Sequence, residues 1–123
     1  MSRLIEQQMM AQRKSWVDLG DGKRVQITRP PETMIGEFSN YGDGKFSVSS
    51  VIDRVIKYTV GWDGITEADL LGASVGASDL VPFDPALWAL VIEDRAEWLM
   101  KIAQALTASI ANHYEQKAQA EKN

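Results

Sequence analysis

Two stretches of the sequence set a carboxylate beside glycine in the manner of a calcium loop: YGDGKFSVSSVI, residues 41–52, and VGWDGITEADLLG, residues 60–72. Such a loop needs oxygen ligands at positions 1, 3 and 5, a glycine at 6 and a bidentate glutamate at 12, because the cation must be both neutralised and enclosed. With Gly64 at position 6, the ligand positions fall on Thr59, Gly61, Asp63 and Leu70. With Gly44 there, they fall on Ser39, Tyr41, Asp43 and Ser50. Each loop offers one carboxylate and no closing glutamate. A calcium-responsive module, or another small intracellular protein-interaction module, is therefore the alternative reading of this chain and not the first.

Other chemistry is scarcer still. There is no cysteine, which excludes disulfides, thiolate catalysis and cysteine-ligated zinc. The one histidine, His113, falls on the apolar side of a helical pattern, where a core-edge imidazole is the commoner role, and no nucleophile–base set can be assembled around it. GASVGAS lacks the lysine and the preceding strand of a phosphate loop. The adjacent acids Glu67/Asp69 and Glu93/Asp94 sit where helix starts and ends already account for them. The expectation is a protein that is not an enzyme and has no cofactor or metal.

The letters of the second loop serve folding better than metal binding. Gly61 reads as the stop of a preceding helix, and Asp63-Gly64 as a turn. Thr66 and Asp69 match a capping box that starts a short helix, with Ile65 and Leu70 placed as a hydrophobic staple. Trp62 would lie over this corner. Gly61, Trp62, Asp63, Gly64, Thr66 and Asp69 are thus expected to form a structural corner.

The elements around it follow from periodicity. Trp16–Leu19 and Lys23–Ile27 alternate about GDG and predict a β-hairpin with Val17, Leu19, Val25 and Ile27 on one buried face. A lone hairpin is marginal in water, so it must pack on something. Pro31 with Met34, Ile35 and Phe38 predicts a short helix, followed by a loop over SNYGDGK. Val48, Val51, Ile52, Val55, Ile56 and Thr59 recur at helical spacing, with Ser47 as N-cap. GASVGASDLVPF reads as a loop, after which Asp84 caps and Pro85 opens another helix. Asp94 and Glu97 form a variant capping box for a last helix, Arg95 to Lys117, that buries Trp98, Leu99, Ile102, Leu106, Ile110 and the edge residue His113.

The fold expected is mainly α: a small helical domain of four to five helices with an N-terminal β-hairpin. Residues 1–15 form a polar segment compatible with a short helix or a frayed tail. Residues 16–117 form one globular domain, with the hairpin at 16–28 and the helical core at 47–117, and 118–123 are a flexible tail. A chain of 123 residues suits one domain with a hydrophobic core.

Charge is unevenly spread. The net charge is −4, but residues 1–30 carry six basic and three acidic side chains, residues 31–94 three and eleven, and residues 95–123 four and three. The acidic middle would repel phosphates, so no nucleic-acid partner is expected, and a solvated acidic face is the simplest account. No apolar run reaches the about 18 residues of a membrane span, and the N-terminal residues lack the pattern of a signal peptide. The expectation is a cytoplasmic protein without membrane contact.

Four tryptophans and five methionines turn attention to protein partners, since both residue types serve adaptable interfaces as well as cores. VPFDPALWALVI covers more than one helical face with apolar residues, so it either fills the centre or meets a partner. Phe83, Leu87, Trp88, Val91 and Trp98 are the candidate interaction residues.

The order VGWDGITEADLLG, then ASVGASD, then VPFDPALWALVIEDRAEWLMKIAQAL resembles the tail assembly chaperones of long-tailed, lambda-like phages over the last two-thirds of the chain. That resemblance implies a protein of the host cytoplasm that binds the long, helical tape-measure protein, keeps it soluble and helps recruit tail-tube subunits. It also implies self-association and association with a longer form made by ribosomal frameshifting, this chain being the short form. The family has no catalytic residues to carry over.

Overall fold

The computed structural model describes residues 2–36 and 48–122. Asp21 and Gly22 both take positive φ, 53° and 79°, which is what a two-residue hairpin turn matched to strand twist demands. They join β1 (Lys14–Gly20) to β2 (Lys23–Thr28) in antiparallel register, Val17 opposite Val25. Leu19, Val25 and Ile27 are buried and Val17 half-buried against them, as alternation predicts.

What the hairpin packs on includes a third strand. β3 (Thr59–Asp63) pairs antiparallel with β2, Val25 opposite Trp62, so β2 is the middle strand. This corrects the reading of Gly61 as a helix stop. The preceding helix, α2 (Val48–Tyr58), runs straight into β3, and Gly61 is a strand position opposite Gln26 whose φ is not positive. The Thr59 hydroxyl donates to Val55 O at 2.7 Å and closes the last turn of α2 as the chain becomes extended. Thr59, Val60 and Trp62 are β-branched or aromatic, and pairing with β2 decides their conformation.

Val51, Val55 and Tyr58 of α2 are buried, with Ile52 and Ile56 packed at the edge. Val48, expected on the same face, is 63% exposed. Of the helix expected after Pro31, the described residues show a 3-10 turn, Glu32–Met34, and then Gly36 in α-helical conformation. Phe38, the SNYGDGK loop, the Asp43-Gly44 pair and the Ser47 cap lie outside the described residues.

α3 (Glu67–Leu71) and α4 (Pro85–Glu93) start where their caps predict: Asp84 Oδ1 accepts from Ala86 N at 2.9 Å with Pro85 at the first helical position. α5 (Ala96–Lys122) begins one residue later than expected and does not use an Asp94 cap. Asp94 instead ends α4, its N–H donating to Val91 O. α5 lies along β1 and β2 and against α2 and α4, burying Leu99, Ile102 and Leu106, while Trp98, Ile110 and His113 are only half-buried. Residues 118–122 continue α5 as an exposed helix where a flexible tail was expected.

At the other end, α1 (Ser2–Gln12) precedes β1 and leaves Leu4, Ile5, Met9 and Met10 exposed. Among the described residues there are five α-helices and one three-stranded sheet, and no helix is long and apolar enough to cross a membrane.

Candidate protein-interaction site

The corner is built from interlocking bonds. Thr66 Oγ1 accepts from Asp69 N at 3.2 Å, and Asp69 Oδ2 accepts from Thr66 N at 2.8 Å, a complete capping box. The remaining free N–H groups of the first turn of α3 are met by the following loop: Glu67 N donates to Asp79 O and Ala68 N to Ala77 O. That loop crosses close to α3 at Gly76, where a Cβ would stand 2.5 Å from the Glu67 carbonyl. Lys23 Nζ lies 3.5 Å from Asp69 Oδ1, and Arg95 donates to Asp69 O at 2.7 Å, so hairpin, α3 and the α4–α5 junction meet at one residue. Burial works against the Asp69 charge, but the hydrogen bonds from Thr66 and the Lys23 ammonium outweigh it and hold the carboxyl below its ordinary range.

Asp63 is committed as well, its Oδ2 accepting from Arg24 Nε at 3.3 Å. Gly64 has φ 77°, and a Cβ there would collide with the Gly22 carbonyl of the hairpin turn. Among the described residues no cluster of three or more potential metal ligands occurs. Trp62, Asp63, Gly64, Thr66 and Asp69 do form a corner, and Gly61 enters it as the strand that leads in.

Trp62 pins this corner from inside. Its Nε1 donates to Val81 O at 2.6 Å, and its ring meets Phe83 and Trp88 edge-on at 5.2 and 5.9 Å. Trp88 in turn stacks on Trp98 at 6.4 Å, and the Arg95 guanidinium lies 5.4 Å from the Trp98 ring centre. Trp88 is 0% exposed. A residue so placed is core, and its candidacy for partner contact is corrected: the indole is wholly buried, with the Trp62 and Trp98 rings against it. Phe83, Leu87, Val91 and Trp98 are half-buried against the same core, and the outward position of α4 is Leu90.

The open apolar surface is elsewhere. Between α2 and α5 runs a groove of about 410 Å³, lined by Val51, Arg54, Val55, Met100, Ala103, Gln104, Leu106, Thr107, Ala108 and Ala111. None of the five candidate interaction residues lines it. The stripe Met100, Ala103, Gln104, Thr107, Ala108 and Ala111 has spacing i, i+3, i+4, i+7, i+8 and i+11, one position round the helix from the core stripe of Leu99, Ile102 and Leu106. Periodicity therefore carried a signal for it, obscured by the low hydrophobicity of alanine and threonine.

Comparison with protein-family models, curated proteins and solved structures returned no match.

On the far half of α5, His113 Nε2 lies 3.2 Å from Glu32 Oε2, and Lys117 Nζ 3.0 Å from Glu32 Oε1. The two contacts tie the turn after β2 to α5. His113 is thus a half-buried partner of a carboxylate at the edge of the core. The hydrogen bond from Lys117 and then that from His113 lower the Glu32 carboxyl below its ordinary value, and the Lys117 ammonium is raised by the same contact.

Proposed function

We propose that this protein is a non-enzymatic chaperone of phage tail assembly, binding and solubilising the tape-measure protein in the host cytoplasm and helping to recruit tail-tube subunits. The observation that carries the binding role is the apolar groove between α2 and α5, which no described segment covers. A groove between two helices accepts a third helix through its apolar stripe. The small side chains of Ala103, Ala108 and Ala111 let the incoming helix approach α5 closely. A long helical client with apolar stripes is the kind of partner that such a surface fits, and the sequence resemblance names the tape-measure protein as that client. The same resemblance supports self-association and association with a longer frameshifted form.

The test is co-expression of the tape-measure protein with and without this chain. The proposal expects the client to move from the insoluble to the soluble fraction and to co-purify. An unchanged client fraction without co-purification would reject it. The calcium-responsive alternative gains no support from the described residues, where Asp63 is spent on Arg24.

A further inference from the structure

β1 is an edge strand, hydrogen-bonded to β2 on one side alone. Arg29 N donates to Arg13 O at 2.7 Å, and the bonds of an antiparallel ladder fall on every second residue. Ser15 and Val17, opposite Ile27 and Val25, therefore turn their backbone groups to β2. Lys14, Trp16 and Asp18 turn theirs outward, where among the described residues no strand pairs with them. All three residues are exposed. Such a row of N–H and C=O groups is a template for one more strand.

The surroundings of this edge are positive. Arg13, Lys14 and Arg29 line a groove of about 780 Å³ between the start of β1 and the far half of α5. Arg13 and Arg29 are cross-strand neighbours and share the sheet face that Ser15 presents to the groove. Among the described residues none of the three cations is in an ion pair, and the carboxylate in the groove wall, Glu32, is engaged by His113 and Lys117. The wall contributed by α5 is polar, with Ser109, Asn112 and Gln116. On the other face of the sheet Trp16 is 43% exposed, the Arg24 guanidinium lying 4.0 Å from its ring centre. A clustered positive charge without a counter-charge costs free energy that an incoming carboxylate relieves.

We infer that the edge of β1 docks an extended acidic segment of another protein, which joins the sheet as a further strand and sets carboxylates against Arg13, Lys14 and Arg29. Main-chain bonds to Lys14, Trp16 and Asp18 supply the pairing, and alternate side chains supply the choice of sequence. Residues of the added strand that lie directly opposite Lys14, Trp16 and Asp18 share their face, where an apolar β-branched side chain packs on Trp16. The residues between them point to the basic groove. A helix does not suit this edge, because its own backbone bonds are already made. A second copy of β1 suits it less, since it brings Arg13 and Lys14 of its own against one carboxylate, Asp18, which accepts from Gly20 N. A nucleic acid has phosphate charge but no backbone to pair with a strand, and Glu32 stands in the groove wall. No residue lines both this groove and the apolar one between α2 and α5, so the two sites are independent.

The probe is a synthetic peptide as long as β1 that alternates glutamate with valine, added to the full chain and followed by fluorescence anisotropy and amide hydrogen exchange. Binding is expected, with slower exchange at the amides of Lys14, Trp16 and Asp18. Glutamine in place of the glutamates, methylation of the valine nitrogens, or Arg13→Glu/Lys14→Glu in the protein should each weaken binding about tenfold or more. Circular dichroism checks the fold of the variant, and the two altered peptides leave the protein unchanged. A peptide that does not bind, a glutamine or methylated peptide that binds as well as the first, or binding without slower exchange at the three amides would overturn the inference. So would amides already protected in the free chain and released on dilution, which would assign the edge to a second copy. Displacement of the peptide by a tighter-binding oligothymidylate would overturn it in favour of a nucleic acid.

Discussion

The aromatic corner and the α2–α5 groove are both apolar, and both are built against α5, yet one is closed and the other open. At the corner the chain returns: residues 77–81 run back past α3 and give their carbonyls to Glu67, Ala68 and Trp62, whose ring packs on the buried Trp88. Over the groove no described segment returns, and small residues of α5 leave room where a further helix would sit. Apolar content alone does not separate core from interface. What separates them is whether the chain's own backbone crosses back with its hydrogen bonds satisfied.

Substitutions should break the two regions in different ways. Trp88→Ala removes the largest wholly buried side chain and should cost about 3–5 kcal/mol, read as a lower urea midpoint. A stability within about 1 kcal/mol of wild type would place Trp88 outside the core after all. Gly64→Ala should cost about 1–3 kcal/mol from its positive φ, with more from displacement of the hairpin turn at Gly22. Gly61→Ala, at a strand position with ordinary contacts, should be far milder, and equal losses at both glycines would contradict the assignment of Gly61 to β3. Thr66→Ala removes half of the capping box and should cost about 1 kcal/mol.

The smallest effect concerns pH. Glu32 has its folded pKa depressed below the ordinary 4.5 by Lys117 and His113, so its contribution is present above that value and is lost as pH falls through the folded pKa. The stability gap between wild type and Glu32→Gln should therefore shrink on acidification below about pH 4.5 and stay level through neutrality. Lys117, raised above 10.5, contributes below that value and loses its contribution as pH rises through its folded pKa. A gap that widens on acidification would show that the contact does not stabilise the fold.

Local rules made most of the fold legible. The Asp21-Gly22 turn, the Thr66 and Asp84 caps and the stripes of α2 and α5 each announce themselves within a few residues. β3 was hidden because Thr59 continues the helical spacing of Val48 to Ile56 while also facing the core as a strand residue, and only pairing with β2 decides between the two. The site was harder for a different reason. Hydrophobicity draws attention to Trp88, whereas a groove of alanine, threonine and methionine is visible only once α2 lies beside α5 with no described segment over them. The basic start was plain in the sequence, but its placement beside the edge strand β1 needed the fold.

The central claim is that the α2–α5 groove holds an apolar helical client. Ala108 is exposed and lines that groove, so Ala108→Arg should block it while leaving the melting temperature close to wild type. The direct measurement is the amount of tape-measure protein that co-purifies with wild type and with Ala108→Arg after co-expression, each chain's fold being checked by thermal melting. The account predicts a folded variant that loses the client. A folded variant that retains the client at the wild-type level would contradict it.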